Sequence, residues 1–227
     1  MTTQEFFTEL DARIAKYDLL CHPFYKAWTA GELTREDLRN YGQNYFHHVN
    51  AFPEYLRAFA SRLPQGDVRR AVTANCEDEM GSPGSRPHSE LWLDFVEGMG
   101  GERVGNAKPL AEVDALIEKF QSVAEHGTIE EALAGFYAYE SQVPRVAAEK
   151  ARGLQVRYGA DARTCEYFAL HTTADVYHSR VWKQQLAKSV EGDPETADRA
   201  LQGGESAAKA LWSALDGIEA ERITRAA

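Results

Sequence analysis

The stretch His171-Thr-Thr-Ala-Asp175-Val-Tyr-His178 decides the fold. Two imidazoles and a carboxylate recur at i, i+4 and i+7. An α-helix turns about 100° per residue, so the three fall within roughly 60° of one another on a single stripe. Tyr167 shares that face, four residues before His171. His and Asp gathered on one helical face are what a metal centre needs and what an ordinary core avoids. Two His and a carboxylate suit iron, manganese or zinc. The spacing predicts a helix over about 162–188.

Outward from this stripe, the rest of the chain also reads as helix. Phe6, Phe7, Leu10 and Ile14 mark a first amphipathic helix, and a short one over about 22–30 stops at Gly31. Thr34-Arg-Glu-Asp37 caps a helix reaching about Leu63, with a kink expected at Pro53. Another helix covers about 67–80. Gly81, Pro83, Gly84 and Pro87 interrupt the chain before a helix resumes near His88. After a loop with Gly98, Gly100, Gly101 and Gly105, a helix spans about 110–125. Thr128-Ile-Glu-Glu131 is a capping box for a helix to about Leu154. The last runs from near Pro194 to near Arg222, with Gly203-Gly204 as a weak point. No sustained period-2 alternation occurs. The expectation is an all-α bundle of about seven to eight helices forming a single domain over 1–227.

The composition, 44% hydrophobic and 26% charged, is that of a soluble globular protein. A net charge of −10 argues against a nucleic-acid partner, because phosphate binding needs a basic surface. No apolar run is long enough for a membrane span, and the acidic N-terminal segment lacks an apolar signal core. A cytoplasmic protein is expected. Cys21, Cys76 and Cys165 are odd in number and widely spaced, which points to reduced thiols.

Two further clusters bear on the stripe. Leu133, Phe136, Val143 and Ala147 form an apolar stripe with Glu140 in its middle. A carboxylate there costs several kcal/mol unless it finds a cation, a hydrogen-bond partner or a proton. Arg145 and Arg180 are candidate partners. Pro144 removes the hydrogen bond to the Glu140 carbonyl and should kink the helix there. The second cluster is Asn75-Cys-Glu77-Asp78-Glu79-Met-Gly81, followed by Pro87-His88. Acidic residues ending a helix oppose its dipole, so helix stability does not explain them. A solvated acidic turn is the plain alternative. Glu79, His88 and Glu140 together with the stripe supply three carboxylates and three imidazoles. That suffices for two divalent ions, leaving about +1. Asp175-x-x-His178 resembles half of a di-iron bundle motif, and the other half is missing. One arrangement pairs His171 with Glu140 on one ion and gives Asp175 and His178 to the other.

At these residues the chain resembles a known family. The carrying segments are HPFYKAWTAGELTREDLRNYGQNYFHHVNAFPEYL (22–56), DEMG followed by HSELW, YAYESQVPRVAAEKARGL (137–154) and HTTADVYHSR (171–180). The chain is similar there to the haem-oxygenase-like proteins related to PqqC and TenA. Among these it most resembles the chlamydial protein associating with death domains and its bacterial relatives, over about residues 5–190. The resemblance implies a dimetal centre held by Glu79, His88, Glu140, His171, Asp175 and His178. The segment between Glu79 and His88 is longer here, with an inserted Ser-Pro-Gly-Ser-Arg, which leaves Glu77 and Asp78 as alternatives to Glu79. The implied metals are two iron ions, or iron and manganese, with O2 as co-substrate and an external reductant. The implied activity is oxygen-dependent production of p-aminobenzoate for folate synthesis, in which a tyrosine of the protein itself supplies the ring. Tyr25 matches that tyrosine, Lys150 matches the amine donor, and Tyr139 and Tyr167 match other site tyrosines. A homodimer is expected for this fold.

Four other readings compete. A PqqC-like cofactor-less oxidase would use His and Tyr as acid–base groups, leaving three carboxylates unexplained. A TenA-like thiaminase needs a cysteine in the helix that here reads Gly135-Phe-Tyr-Ala-Tyr-Glu-Ser. A haem oxygenase needs an early proximal His, and His22 precedes a proline that makes it a helix-start residue instead. A non-catalytic binding or regulatory protein of the same fold is the fourth.

Overall fold

A computed structural model describes residues 1–82, 84–103 and 108–227. Pro83 and Gly105, counted above among the turn signals, lie outside the described residues. The helices follow in order as α1 (Thr3–Ala15), α2 (Pro23–Ala30), α3 (Arg35–Arg62), α4 (Asp67–Met80), α5 (His88–Gly98), α6 (Ala111–His126), α7 (Ile129–Glu140), α8 (Val143–Tyr158), α9 (Ala162–His171), α10 (Ala174–Val190) and α11 (Pro194–Ala226). No strand occurs among the described residues, so the expected all-α architecture holds. No helix among them is long and apolar enough to cross a membrane.

The helix starts follow their local chemistry. At Thr34 and Thr128 the hydroxyl accepts from the N3 backbone N–H, and the N3 carboxylate accepts from the threonine N–H. His22 caps α2, its Nδ1 accepting from the Phe24 N–H at 3.1 Å, as a helix-start residue should. Its other nitrogen lies 3.1 Å from Asp216, which ties α2 to α11. Helix α3 continues through Pro53.

Helix α7 forms the centre of the bundle. Every residue from Ala132 to Glu140 is buried, because α11, α10 and α6 pack around it. A helix buried on all sides carries its last residue into the interior, which places Glu140. The expected weak point at Gly203-Gly204 does not exist: α11 is unbroken there. A Cβ on Gly204 would stand 2.6 Å from a Leu10 methyl, and one on Gly203 would stand 3.0 Å from the Glu131 Cα. These glycines let α11 approach α7 and α1 closely.

Two helices expected to be continuous are broken, and both breaks matter to the site. The first separates α7 from α8. Pro144 has no N–H for the Glu140 carbonyl, and a new helix begins at Val143 with the proline in its first turn. The Gln142 side chain fills the gap, donating to the Ala138 carbonyl at 3.1 Å and accepting from the Leu19 N–H at 3.0 Å. The second separates α9 from α10, correcting the single helix expected over 162–188. The Thr172 and Thr173 hydroxyls donate to the Ala169 and Leu170 carbonyls at 2.7 and 3.1 Å, competing with the helical ladder.

Candidate metal centre

All six residues of the expected ligand set are buried and meet between α4, α5, α7, α9 and α10. They form two groups that share one member. Glu79, His88 and His171 make the first; Glu79, Glu140, Asp175 and His178 make the second. Within each group one ligand atom per residue lies within 4.8 Å of all the others. The break at Thr172-Thr173 produces this division. His171 ends α9 on one side, and Asp175 opens α10 on the other, where the positive helix N-terminus favours its charge. The pairing of His171 with Glu140 is therefore corrected. His171 Nε2 lies 3.9 Å from Glu79, while Glu140 stands with His178, 3.8 Å from its Nδ1. Glu79 is the shared residue, and the alternative residues Glu77 and Asp78 lie outside both groups.

The spacings are also those of ligands around a common cation. Ligand atoms about 2.1 Å from a common ion stand about 3.0–3.4 Å apart. His88 Nδ1 is 2.9 Å from Glu79 Oε2, and His178 Nδ1 is 3.3 Å from Asp175 Oδ1. His88 Nδ1 and Glu79 Oε2 are both buried, and their ion-pair distance is one that two ligands of a single ion also show. His171 is oriented from behind: its Nδ1–H donates to the Tyr167 carbonyl at 2.7 Å, so the neutral ring presents the Nε2 lone pair inward. Glu140 accepts from Asn75 Nδ2 at 2.8 Å and from the Trp182 indole N–H, and neither Arg145 nor Arg180 reaches it.

Without a cation this cluster strains its charges. Burial and the nearby Asp175 carboxylate push Glu140 up to about 8. Burial alone would lower His171, but Asp175 and Glu79 raise it to about 9. His178 likewise rises to about 9 against its burial, through Asp175 and Glu140. Glu79 is held below the usual carboxylate range, because His88 and His171 outweigh its burial. Protons here stand in for positive charge that an ion would supply.

The model of the iron-containing redox enzyme family matches residues 39–212, a span that holds all six clustered residues. The chain belongs to that family. It is thus an oxidoreductase of haem-oxygenase-like fold. It is 36% identical to the 4-aminobenzoate synthase of Nitrosomonas europaea over 230 residues, covering 96% of this chain and 92% of that one. Its identity to the 4-aminobenzoate synthase of Chlamydia trachomatis serovar D is 34% over 214 residues, 93% and 90% of the two chains. A TenA homologue from Pseudomonas syringae pv. tomato superposes with a TM-score of 0.80 at 16% identity, over 95% of this chain and 91% of that one. This last likeness speaks to the fold.

Beside the cluster, this family member holds a second buried chamber of ≈ 20 Å³, lined by Tyr25, Tyr45, Trp92, Tyr139, Lys150, Tyr167 and apolar residues. Tyr139 and Tyr167 also line the small cavity at Glu79, Glu140, His171 and Asp175, so the two spaces share a wall. Lys150 is buried rather than solvated. It follows Val143, Val146 and Ala147 at helical spacing, on the stripe of α8 that faces the chamber. Its Nζ lies 2.7 Å from the Tyr25 hydroxyl and 2.5 Å from that of Tyr41. The two hydroxyls are 3.0 Å apart. Burial pushes Lys150 well below its ordinary value, which favours the neutral amine. The same burial raises Tyr25, so its phenol keeps its proton.

The sequence reading gave no role to Tyr41, Asn75 or Trp182. Trp182 was within reach, because it continues the His171–Asp175–His178 stripe four residues on. Asn75 was likewise readable, four residues before Glu79 on α4. Tyr41 carries no signal of its own; only tertiary packing brings it to Lys150.

Proposed function

We propose that this chain is an oxygen-dependent dimetal oxidase that makes p-aminobenzoate, with its own Tyr25 as the source of the ring and Lys150 as the source of the amine. The observation that carries the reading is the Lys150–Tyr25 contact at 2.7 Å, in a chamber sharing Tyr139 and Tyr167 with the carboxylate–imidazole cluster. Relatives at 34–36% identity over most of their length bear the name 4-aminobenzoate synthase.

Glu79, His88, Glu140, His171, Asp175 and His178 would hold two transition-metal ions, iron alone or iron with manganese. Such ions, when bound and reduced by an external reductant, supply O2 activation, which side chains alone do not. The chain's own residues then do the rest. Phe24, Tyr41 and Trp28 pack around the Tyr25 ring and keep bulk water away. Tyr41 and Lys150 fix the position of the Tyr25 oxygen. The dry pocket keeps the Lys150 amine free of a proton, as a nitrogen donor must be.

The chamber beside the cluster is lined by the protein's own rings, Tyr25, Tyr45, Trp92, Tyr139 and Tyr167. The competing PqqC-like oxidase leaves Glu79, Glu140 and Asp175 without a role. The test is Tyr25→Phe in metal-loaded protein: p-aminobenzoate formation should fall to background. Unchanged yield would refute Tyr25 as the ring source.

A further inference from the structure

We propose that Asp78 is a positioning residue of the metal centre, holding His178 so that its inward nitrogen faces Glu140 and Asp175. The proposal rests on the metal-centre reading above. Asp78 Oδ2 lies 3.2 Å from His178 Nε2. An ionised carboxylate only accepts, so the nitrogen facing it donates its N–H. With an ion bound and the ring neutral, that would leave the lone pair on Nδ1 for the ion; Nδ1 stands 3.3 Å from Asp175 and 3.8 Å from Glu140. A ligating imidazole needs this arrangement: a partner on the outer nitrogen sets the tautomer, the ring plane and the basicity of the inner one. The Tyr167 carbonyl gives His171 the same support from inside the bundle. Asp78 gives it to His178 from outside, at the edge of an open cleft of ≈ 770 Å³ that it lines with His88 and His178.

The placement follows from helix α4. Asn75, Asp78 and Glu79 stand at i, i+3 and i+4 on one face of its last turns. From that face Asn75 holds Glu140, Asp78 holds His178, and Glu79 approaches His88 and His171. This explains an acidic helix C-terminus that opposes its own dipole. The turn trades helix stability for control of the three imidazoles and the carboxylate it touches.

Two substitutions separate positioning from plain charge. Asp78→Ala and Glu77→Ala each remove one negative charge from the same turn. The Glu77 side chain is exposed and makes no ion pair among the described residues. Both variants, Asp78→Asn and the unaltered chain are prepared metal-free. Each is titrated with Mn²⁺ against a competing fluorescent chelator, and the thermal midpoint of each metal-free form is recorded. Asp78→Ala should weaken Mn²⁺ binding about 10- to 100-fold, with only a small fall in its metal-free midpoint because the Asp78 side chain is 56% exposed. Asp78→Asn, whose amide oxygen still accepts a hydrogen bond, should recover part of the loss, and Glu77→Ala should bind like the unaltered chain. Equal effects of Asp78→Ala and Glu77→Ala, or no effect of either, would overturn the role of Asp78 while leaving the metal centre standing. If the unaltered chain binds no Mn²⁺, the metal-centre reading falls, and this proposal with it.

Discussion

The carboxylate–imidazole cluster and the Tyr25 chamber share a wall, yet they satisfy their buried polar groups in opposite ways. The cluster gathers three carboxylates and three imidazoles that partner one another, with Asn75 and Trp182 bonding Glu140 from behind. The chamber holds a single basic group, Lys150, among phenols and indoles, with two tyrosine hydroxyls as its hydrogen-bond partners. One region invites positive charge from outside. The other expels it by discouraging even a proton on lysine. On the proposed function this contrast separates the labour: ions would sit on one side, and an uncharged amine beside an oxidisable ring on the other.

The largest effect should come from the residue the two metal groups share. Glu79→Ala should reduce metal content after anaerobic reconstitution from about two ions per chain to near none, by elemental analysis. Retention of one tightly bound ion would show that the groups are independent. Next come two substitutions that should move stability in opposite directions. Glu140→Leu removes the acceptor for Asn75 and Trp182, leaving two buried donors unpaired. The metal-free chain should lose about 2–4 kcal/mol, read from denaturant midpoints. Lys150→Met replaces a buried amine by an apolar chain of similar length. It should stop product formation yet raise stability at pH 7, read from denaturant midpoints. A destabilised Lys150→Met would contradict the reading of the chamber as hostile to charge.

A smaller effect sharpens the same contrast through pH. The Lys150 value is depressed in the folded chain, so the unfolded chain binds the extra proton at neutral pH. Stability should therefore rise with pH toward the ordinary lysine value of about 10.4. The difference between unaltered chain and Lys150→Met isolates that contribution from Glu140, His171 and His178, which titrate in the same range. The gap between the two proteins should narrow from pH 7 to pH 9.5. A gap that stays constant would mean that Lys150 keeps its proton in the folded chain as well. The smallest effect is Trp182→Phe. It removes one hydrogen bond to Glu140, which keeps Asn75, and should cost about 1 kcal/mol, with two ions still bound.

Much of this arrangement was legible as periodicity and little of it as contact. The boxes at Thr34 and Thr128 give helix starts, and the spacing of His171, Asp175 and His178 puts them within reach of one another. Pro144 announces an interruption at Glu140 because a missing N–H is a local property. The break at Thr172-Thr173 is not announced: no Gly or Pro marks it, and threonine hydroxyls compete with the backbone in helices that stay intact elsewhere. That break sends His171 to Glu79 instead of Glu140. Gly203-Gly204 misleads the other way, since its meaning is close packing against Glu131 and Leu10 rather than weakness. Lys150 lay on a readable stripe with Val143, Val146 and Ala147, but only the fold shows Tyr25 and Tyr41 at its amine.

The most direct test of the account follows the atoms of the ring. Protein grown with ring-¹³C tyrosine is loaded with iron or iron and manganese, then supplied with reductant and O2 and no labelled small molecule. The p-aminobenzoate released should carry the ring label, and the peptide containing Tyr25 should lose the corresponding mass. Unlabelled p-aminobenzoate, or labelled product with the Tyr25 peptide intact, would contradict the claim that this chain is spent as its own substrate.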